Sequence, residues 1–225
     1  MKIKYLGHAS FMLKTNGKTI YIDPFAGTYK EKADLILISH AHPDHGDLEK
    51  IAQIRTSATR VITNPHDAEA LNAEALKIGD SKEFEDIRIT GVPAYNIKGM
   101  RSPGEPFHPR DQQIGFLLGL EDKIIYFPGD TEIIPEMSDL PTIDLMLTPI
   151  GGTFTMGKED AIKAVKTISP KYAIPMHYGS VTVVFDGKLT AIDLENDPMG
   201  FKKSVEEQTS TKVLVLKPEE YFDLK

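Results

Sequence analysis

Apolar residues recur along this chain at two different periods, and the periods mark out its elements. Residues 2–6 and 10–14 alternate in character as strands do, and Asn16-Gly17 between apolar segments signals a hairpin turn. Residues 19–22 continue as strand and stop at Asp23-Pro24. The run 34–39 is nearly all apolar, as a strand buried on both faces must be. A helix is predicted over Leu48–Ile54, a strand over Arg60–Thr63, and a second helix over 67–76, rich in Ala, Glu and Leu. Further strands are predicted near 87–93 and over Gly115–Leu120 and Lys123–Phe127, the last two joined at Glu121-Asp122. Between them, 96–112 is dense in Gly and Pro and reads as a long structureless loop, a length that usually signals function. Residues 143–147 form another buried-type strand. Ala161, Ile162, Val165 and Ile168 fall at helical spacing over Lys158–Ile168, and Pro170 ends that helix. Residues 172–175 read as strand, Asp197-Pro198 opens a last helix with a cap and a proline, and 213–216 closes as strand.

Strands precede helices in each half and no linker separates the halves. The pattern therefore predicts one α/β domain over residues 1–225, with two packed sheets. No apolar run is long enough to cross a bilayer, and the N-terminus lacks the apolar core of a signal peptide, so a cytoplasmic chain without a membrane partner is expected. Cysteine is absent, which excludes disulfides, thiolate metal ligands and cysteine nucleophiles together. Any transition metal must be held by imidazole and carboxylate, a donor set suited to zinc, manganese or iron. The formal net charge of −7 argues against nucleic acid as a partner. A homo-oligomer stays open.

Chemistry concentrates at Ser39-His40-Ala41-His42-Pro43-Asp44-His45-Gly46, directly after a buried strand. Four strong ligands stand within six residues. Alternate residues of an extended segment project to one side, so His40 and His42 can share an ion. The turn after Pro43 brings Asp44 and His45 toward a neighbouring ion.

This motif resembles the signature of the metallo-β-lactamase superfamily. The resemblance extends over nearly the whole chain: Leu6-Gly7-His8-Ala9-Ser10-Phe11, Ile22-Asp23-Pro24, Phe127-Pro128-Gly129-Asp130-Thr131, Thr153-Phe154-Thr155-Met156-Gly157 and Pro175-Met176-His177-Tyr178 follow in the order expected. The set is similar to the branch containing ascorbate-6-phosphate lactonase and the small bacterial and archaeal metal-dependent hydrolases. It implies a four-layer αββα sandwich with two divalent metals, zinc first and manganese as the alternative, at one edge between the sheets. It also implies Asp130 as the carboxylate shared by both ions, and His177 as the ligand completing the site of Asp44 and His45. Asp44 and Asp130 are the expected catalytic carboxylates, Asp44 as a ligand that also steers the nucleophile.

The chain departs from that pattern at the site of His40 and His42. Relatives carry a histidine after a Pro-Ala-x step, whereas Val92-Pro93-Ala94-Tyr95-Asn96 offers asparagine, a poor zinc ligand. His108, between Pro106-Phe107 and Pro109, is the candidate third ligand. His8, Asp23, Asn96 and Tyr178 are expected to contact the ligands or the substrate, with Asp23 orienting the His-rich loop. Lys98, Arg101 and Arg110 make 96–112 locally basic and suit a phosphate or carboxylate on the substrate. His66 reads as a solvated helix start, and Phe154 and Met156 as pocket wall or core. The expected activity is hydrolysis of an ester, lactone or phosphodiester bond in a small molecule. The alternatives are a nuclease acting on nucleic acid and an iron-dependent redox enzyme.

Overall fold

The computed structural model describes residues 1–185 and 187–225. Two seven-stranded sheets lie face to face. The first runs in spatial order Tyr221–Asp223, Lys2–Gly7, Ser10–Thr15, Lys18–Ile22, Leu35–Ile38, Arg60–Thr63 and Glu74–Ala75. The second runs Lys212–Val213, Tyr172–Met176, Leu145–Pro149, Lys123–Phe127, Gly115–Leu120, Ile87–Val92 and Ser81–Phe84. The two-residue period of the strands sorts their side chains between layers. Ile20, Ile22, Leu35 and Leu37 face inward with Ile125, Phe127, Leu145 and Leu147, while Tyr21, Ile36 and Ile38 face outward.

Helices cover both outer faces. Helix α1 (Leu48–Ile54) lays Ile51 and Ile54 against the first sheet, and its N-cap Asp47 accepts from the amides of Glu49 and Lys50. Helices α2 (Lys158–Ile168) and α3 (Pro198–Gln208) cover the second sheet with Ile162, Val165, Phe201 and Val205. The result is the four-layer αββα sandwich of the metallo-β-lactamase fold. Phe11, Phe116 and Phe127 are buried between the sheets, and removing any one of these rings to alanine costs about 3–5 kcal/mol.

Three expectations need correction. The helix predicted over 67–76 is a series of turns ending in the edge strand Glu74–Ala75. Asp67 spends its carboxylate on Asn64 and on the amide of Ala41, and Asn72 takes a left-handed φ of 47°, which a helix cannot hold. His66 therefore starts no helix. The stretch 96–112 is not structureless, because Met100–Ser102 and Glu105–Pro106 pair as a short hairpin around Gly104. The strand expected over 213–216 is limited to Lys212–Val213.

The pattern also passed over a hairpin, Ser180–Phe185 with Lys188–Asp193, which pairs with neither large sheet. Its signal was present: Asp186-Gly187 stands between alternating apolar segments.

Candidate metal centre

In each sheet, parallel strands end at the same edge, and the site assembles beyond their carboxyl ends. In the first sheet Lys18–Ile22, Leu35–Ile38 and Arg60–Thr63 are parallel, and Asp23, Ser39 and Asn64 follow them directly. In the second, Lys123–Phe127, Leu145–Pro149 and Tyr172–Met176 are parallel and lead to Asp130, Ile150 and His177. The chain must turn sharply there to aim side chains into the seam. His8, Asp23 and His177 do so with φ of 52°, 44° and 53°, a backbone region costly for residues with a Cβ and concentrated at functional sites.

Two clusters meet at Asp130. His40 Nε2 lies 3.0 Å from His42 Nδ1, and His108 Nε2 lies 3.3 Å from that same atom. On the other side, Asp44 Oδ2 stands 3.1 Å from His8 Nε2 and 3.8 Å from both His45 Nε2 and His177 Nε2. Asp130 sits between the clusters. Its Oδ1 is 3.3 Å from His45 Nε2, and its Oδ2 is 3.1 Å from His177 Nε2 and 3.6 Å from His108 Nε2. Every one of these groups is buried or nearly so.

Hydrogen bonds outside the clusters set the ring tautomers. Asp23 Oδ2 accepts from Ser39 Oγ at 2.6 Å and from His45 Nδ1 at 2.7 Å, and Asp23 Oδ1 accepts from the Ser39 amide. With its single proton given to Asp23, Ser39 Oγ can only accept from His40 Nδ1, 3.0 Å away. Asn96 Nδ2 donates to the carbonyl of Phe154, which turns its Oδ1 toward His108 Nδ1 at 2.8 Å. His40, His45 and His108 thus each keep a proton on Nδ1 and turn Nε2 toward the centre. Asn96 lies beside His108 and orients it.

Sequence reasoning missed three supports. Asn64 donates to the carbonyl of Ser39, and Asp67 accepts from the amide of Ala41, fixing the His-rich loop. Glu132 accepts from the amides of Ile97, Lys98 and Gly99 and so ties the turn after Asn96 to the strand end that carries Asp130. Asn64-Pro65 was a legible turn signal for the first two. Nothing local marks the third.

Other expected residues lie elsewhere. Tyr178 lines a separate cavity on the far side of His8, with Tyr5 and Phe25. Arg110 is engaged by Glu136 at 2.6 Å, and Met156 packs in the core over the second sheet. Phe154 does line the cleft over the site, together with Arg101.

The donor set fits divalent cations. His45 Nε2, His177 Nε2 and Asp130 Oδ1 are buried with no hydrogen-bond partner, although both rings stand within 3.3 Å of the Asp130 carboxylate. Burial disfavours charge on Asp44 and Asp130, yet surrounding histidines hold both carboxyls well below the usual range. Burial likewise pushes His40 and His42 down, and His8 and His108 to about 4, so these four rings are neutral near pH 7. His45 is the exception: Asp130, Asp44 and Asp23 overcome its burial and raise it well above the ordinary value, so a proton on His45 stands in for cationic charge. Ionised carboxylates and bare imidazole nitrogens aimed at common points call for cations.

Comparisons with known proteins agree with this chemistry. The family model described as the beta-lactamase superfamily domain matches residues 2–177. A metal-dependent hydrolase of Pelotomaculum thermopropionicum is 35% identical, with all of both chains covered. Another, MK1542 of Methanopyrus kandleri, is 34% identical over 99% of this chain and 100% of its own. Among solved structures, the metallo hydrolase Igni18 of Ignicoccus hospitalis superposes with a TM-score of 0.77 at 28% identity, over 100% of this chain and 99% of that one. The chain belongs to the beta-lactamase superfamily and is a metal-dependent hydrolase of the metallo-β-lactamase fold.

Proposed function

We propose that this enzyme hydrolyses an ester, lactone or phosphodiester bond of a small molecule in the cytoplasm, using water activated by two divalent ions, zinc first and manganese as the alternative. One observation carries the reading: the two oxygens of Asp130 face different histidines, Oδ1 toward His45 and Oδ2 toward His177 and His108. His40, His42 and His108 would hold one ion, Asp44, His45 and His177 the other, with Asp130 shared. Bound there, the ions supply Lewis acidity, lowering the pKa of water from about 15.7 toward about 7 and polarising the substrate oxygen.

The chain's own residues do the rest. Asp23 and Asn96 fix ring orientation, so the ligands need no rearrangement. Asp44 Oδ2, kept charged by its neighbours, is placed to steer the attacking water and take its proton. His8 Nε2 donates to that oxygen and holds it in place, and Tyr178 lines the cavity on which His8 also borders. The clefts over the site have volumes of about 520 and 570 Å³, which suit a small molecule. No helix among the described residues is long and apolar enough to cross a membrane.

The test is elemental analysis of the purified protein, paired with a screen of lactones, esters and phosphodiesters. Two equivalents of metal and turnover on at least one class are expected, both lost in Asp130→Ala. Full activity in Asp130→Ala overturns the reading.

A further inference from the structure

The mouth of the centre has two compartments, one of them much more apolar than the other. His42, His108, Phe107 and Arg101 line both. Beyond them, one compartment carries the polar side chains of His66, Asp67, Glu105, Gln112 and Gln113. The other is walled by Phe107, Phe154, Val183 and Ile192 over Asp44 and Asp130. Phe107 and Phe154 meet edge to face at 4.7 Å, and Val183 is only 5% exposed. Val183 pairs with Thr190, and Val181 with Ile192, across the separate hairpin, so one face of that ribbon is the wall. Its other face puts Val184 and Leu189 in solvent.

Charge at this mouth is equally uneven. Arg60 pairs with Glu74, Arg88 with Glu83 and Arg110 with Glu136, and Arg55 donates to two carbonyls. Arg101 is the remaining arginine, and among the described residues it makes neither an ion pair nor a hydrogen bond. A guanidinium at the junction of two compartments, with no carboxylate among the described residues within ion-pair distance, is suited to an anionic oxygen on a ligand.

We propose that the substrate is an amphipathic anion: an apolar acyl or aryl group lies against Phe107, Phe154, Val183 and Ile192, and a carboxylate or phosphate group is set against Arg101, with the hydrolysed bond beside His42 and His108. This rests on the hydrolytic reading for the identity of the bond, while the recognition is read from the walls. Arg101 and Val183 are specificity residues and take no part in bond cleavage.

The experiment is calorimetric titration of the zinc-reconstituted protein with unbranched carboxylates from acetate to octanoate, with hexyl phosphate, and with hexanol. Affinity is expected to rise about fourfold per methylene until the apolar compartment is filled. Val183→Asp should flatten that series while leaving acetate binding and zinc content in place. Arg101→Gln should weaken hexanoate or hexyl phosphate about tenfold and leave hexanol unchanged; the larger loss identifies which anionic group Arg101 takes. A series already flat in the unaltered protein, or equal weakening of hexanoate, hexyl phosphate and hexanol by Arg101→Gln, overturns the proposal. Parallel assays with acetyl to octanoyl esters separate the two claims. Ester turnover with a flat series overturns amphipathic recognition alone, and a steep series with no turnover counts against the hydrolytic reading alone.

Discussion

The Oδ1 atom of Asn96 accepts two hydrogen bonds from His108, one from its amide at 2.9 Å and one from its Nδ1 at 2.8 Å. A side chain that is itself a poor metal ligand thereby fixes the imidazole that arrives from the 96–112 stretch. Asn96→Ala should leave the fold intact and weaken metal binding at His40, His42 and His108 about 10- to 100-fold. Chelator competition, following each equivalent of metal separately, checks this: the second equivalent should be far less affected. Asn96→Asp should restore binding, since a carboxylate accepts both bonds.

Asp23 is fully buried and accepts from Ser39 twice and from His45 once. Asp23→Ala strands those donors and should cost about 3–5 kcal/mol in denaturant unfolding. Asp23→Asn is the sharper variant. Its amide can accept from Ser39 but must then present N–H to His45 Nδ1, which drives the His45 proton to Nε2. Folded protein that has lost the metal held by His45 is the expected result, read from metal content and circular dichroism together.

Acid should destabilise the metal-free protein in a defined window. His8 and His108 sit near 4 in the fold against 6.5 in an open chain, and His40 and His42 are also lowered. Below 6.5 the unfolded chain takes up protons that the folded chain refuses, so stability falls as pH drops from 6.5 toward 4. Asp23, raised by burial, pulls the other way as one group against four. His45 has a raised value, so its contribution is complete below 6.5 and is lost as pH rises through its folded value. Unfolding midpoints of chelated protein should therefore fall between pH 6.5 and 4.5. An unchanged midpoint across that range contradicts the burial of these rings.

A methyl group at Gly151 should displace the ligand His177. A Cβ there would overlap the carbonyl of His177, and no flexible atom can yield. Gly151→Ala is expected to cost about 1–3 kcal/mol and to weaken the metal held by His177, with the His40, His42 and His108 site spared. Thermal unfolding with and without zinc, beside metal counts, distinguishes this from general loss of fold.

The legible parts of this chain were those where one local period or motif decides the outcome. Buried strands such as Leu35–Ile38 and the helix Lys158–Ile168 follow from apolar spacing alone, and the ligand motif at His40 to His45 follows from its density. Residues 67–76 misled because helix-forming composition was outweighed by tertiary demands on Asp67 and by the left-handed turn at Asn72. The structure brings His108 into the cluster of His40 and His42, as its position between prolines suggested, but only the fold shows that Asn96 aims it. Glu132 was invisible because its three partners lie more than thirty residues away and are backbone amides, which carry no residue identity. Arg101 could not be told from Lys98 or Arg110 by charge. Geometry separates them.

The ribbon of Ser180–Phe185 and Lys188–Asp193 shares no ladder with either large sheet, yet it supplies one wall above the centre. Its first strand starts three residues after His177 and its base closes back through Gly179, Glu195 and Gly151, so the part that screens what reaches the centre hangs from one ligand and leaves the ladders of both large sheets untouched. Evolution, or an engineer, can rewrite or exchange that ribbon residue by residue without reopening the core. One scaffold could in this way be retuned across a series of substrates while its reaction stays the same.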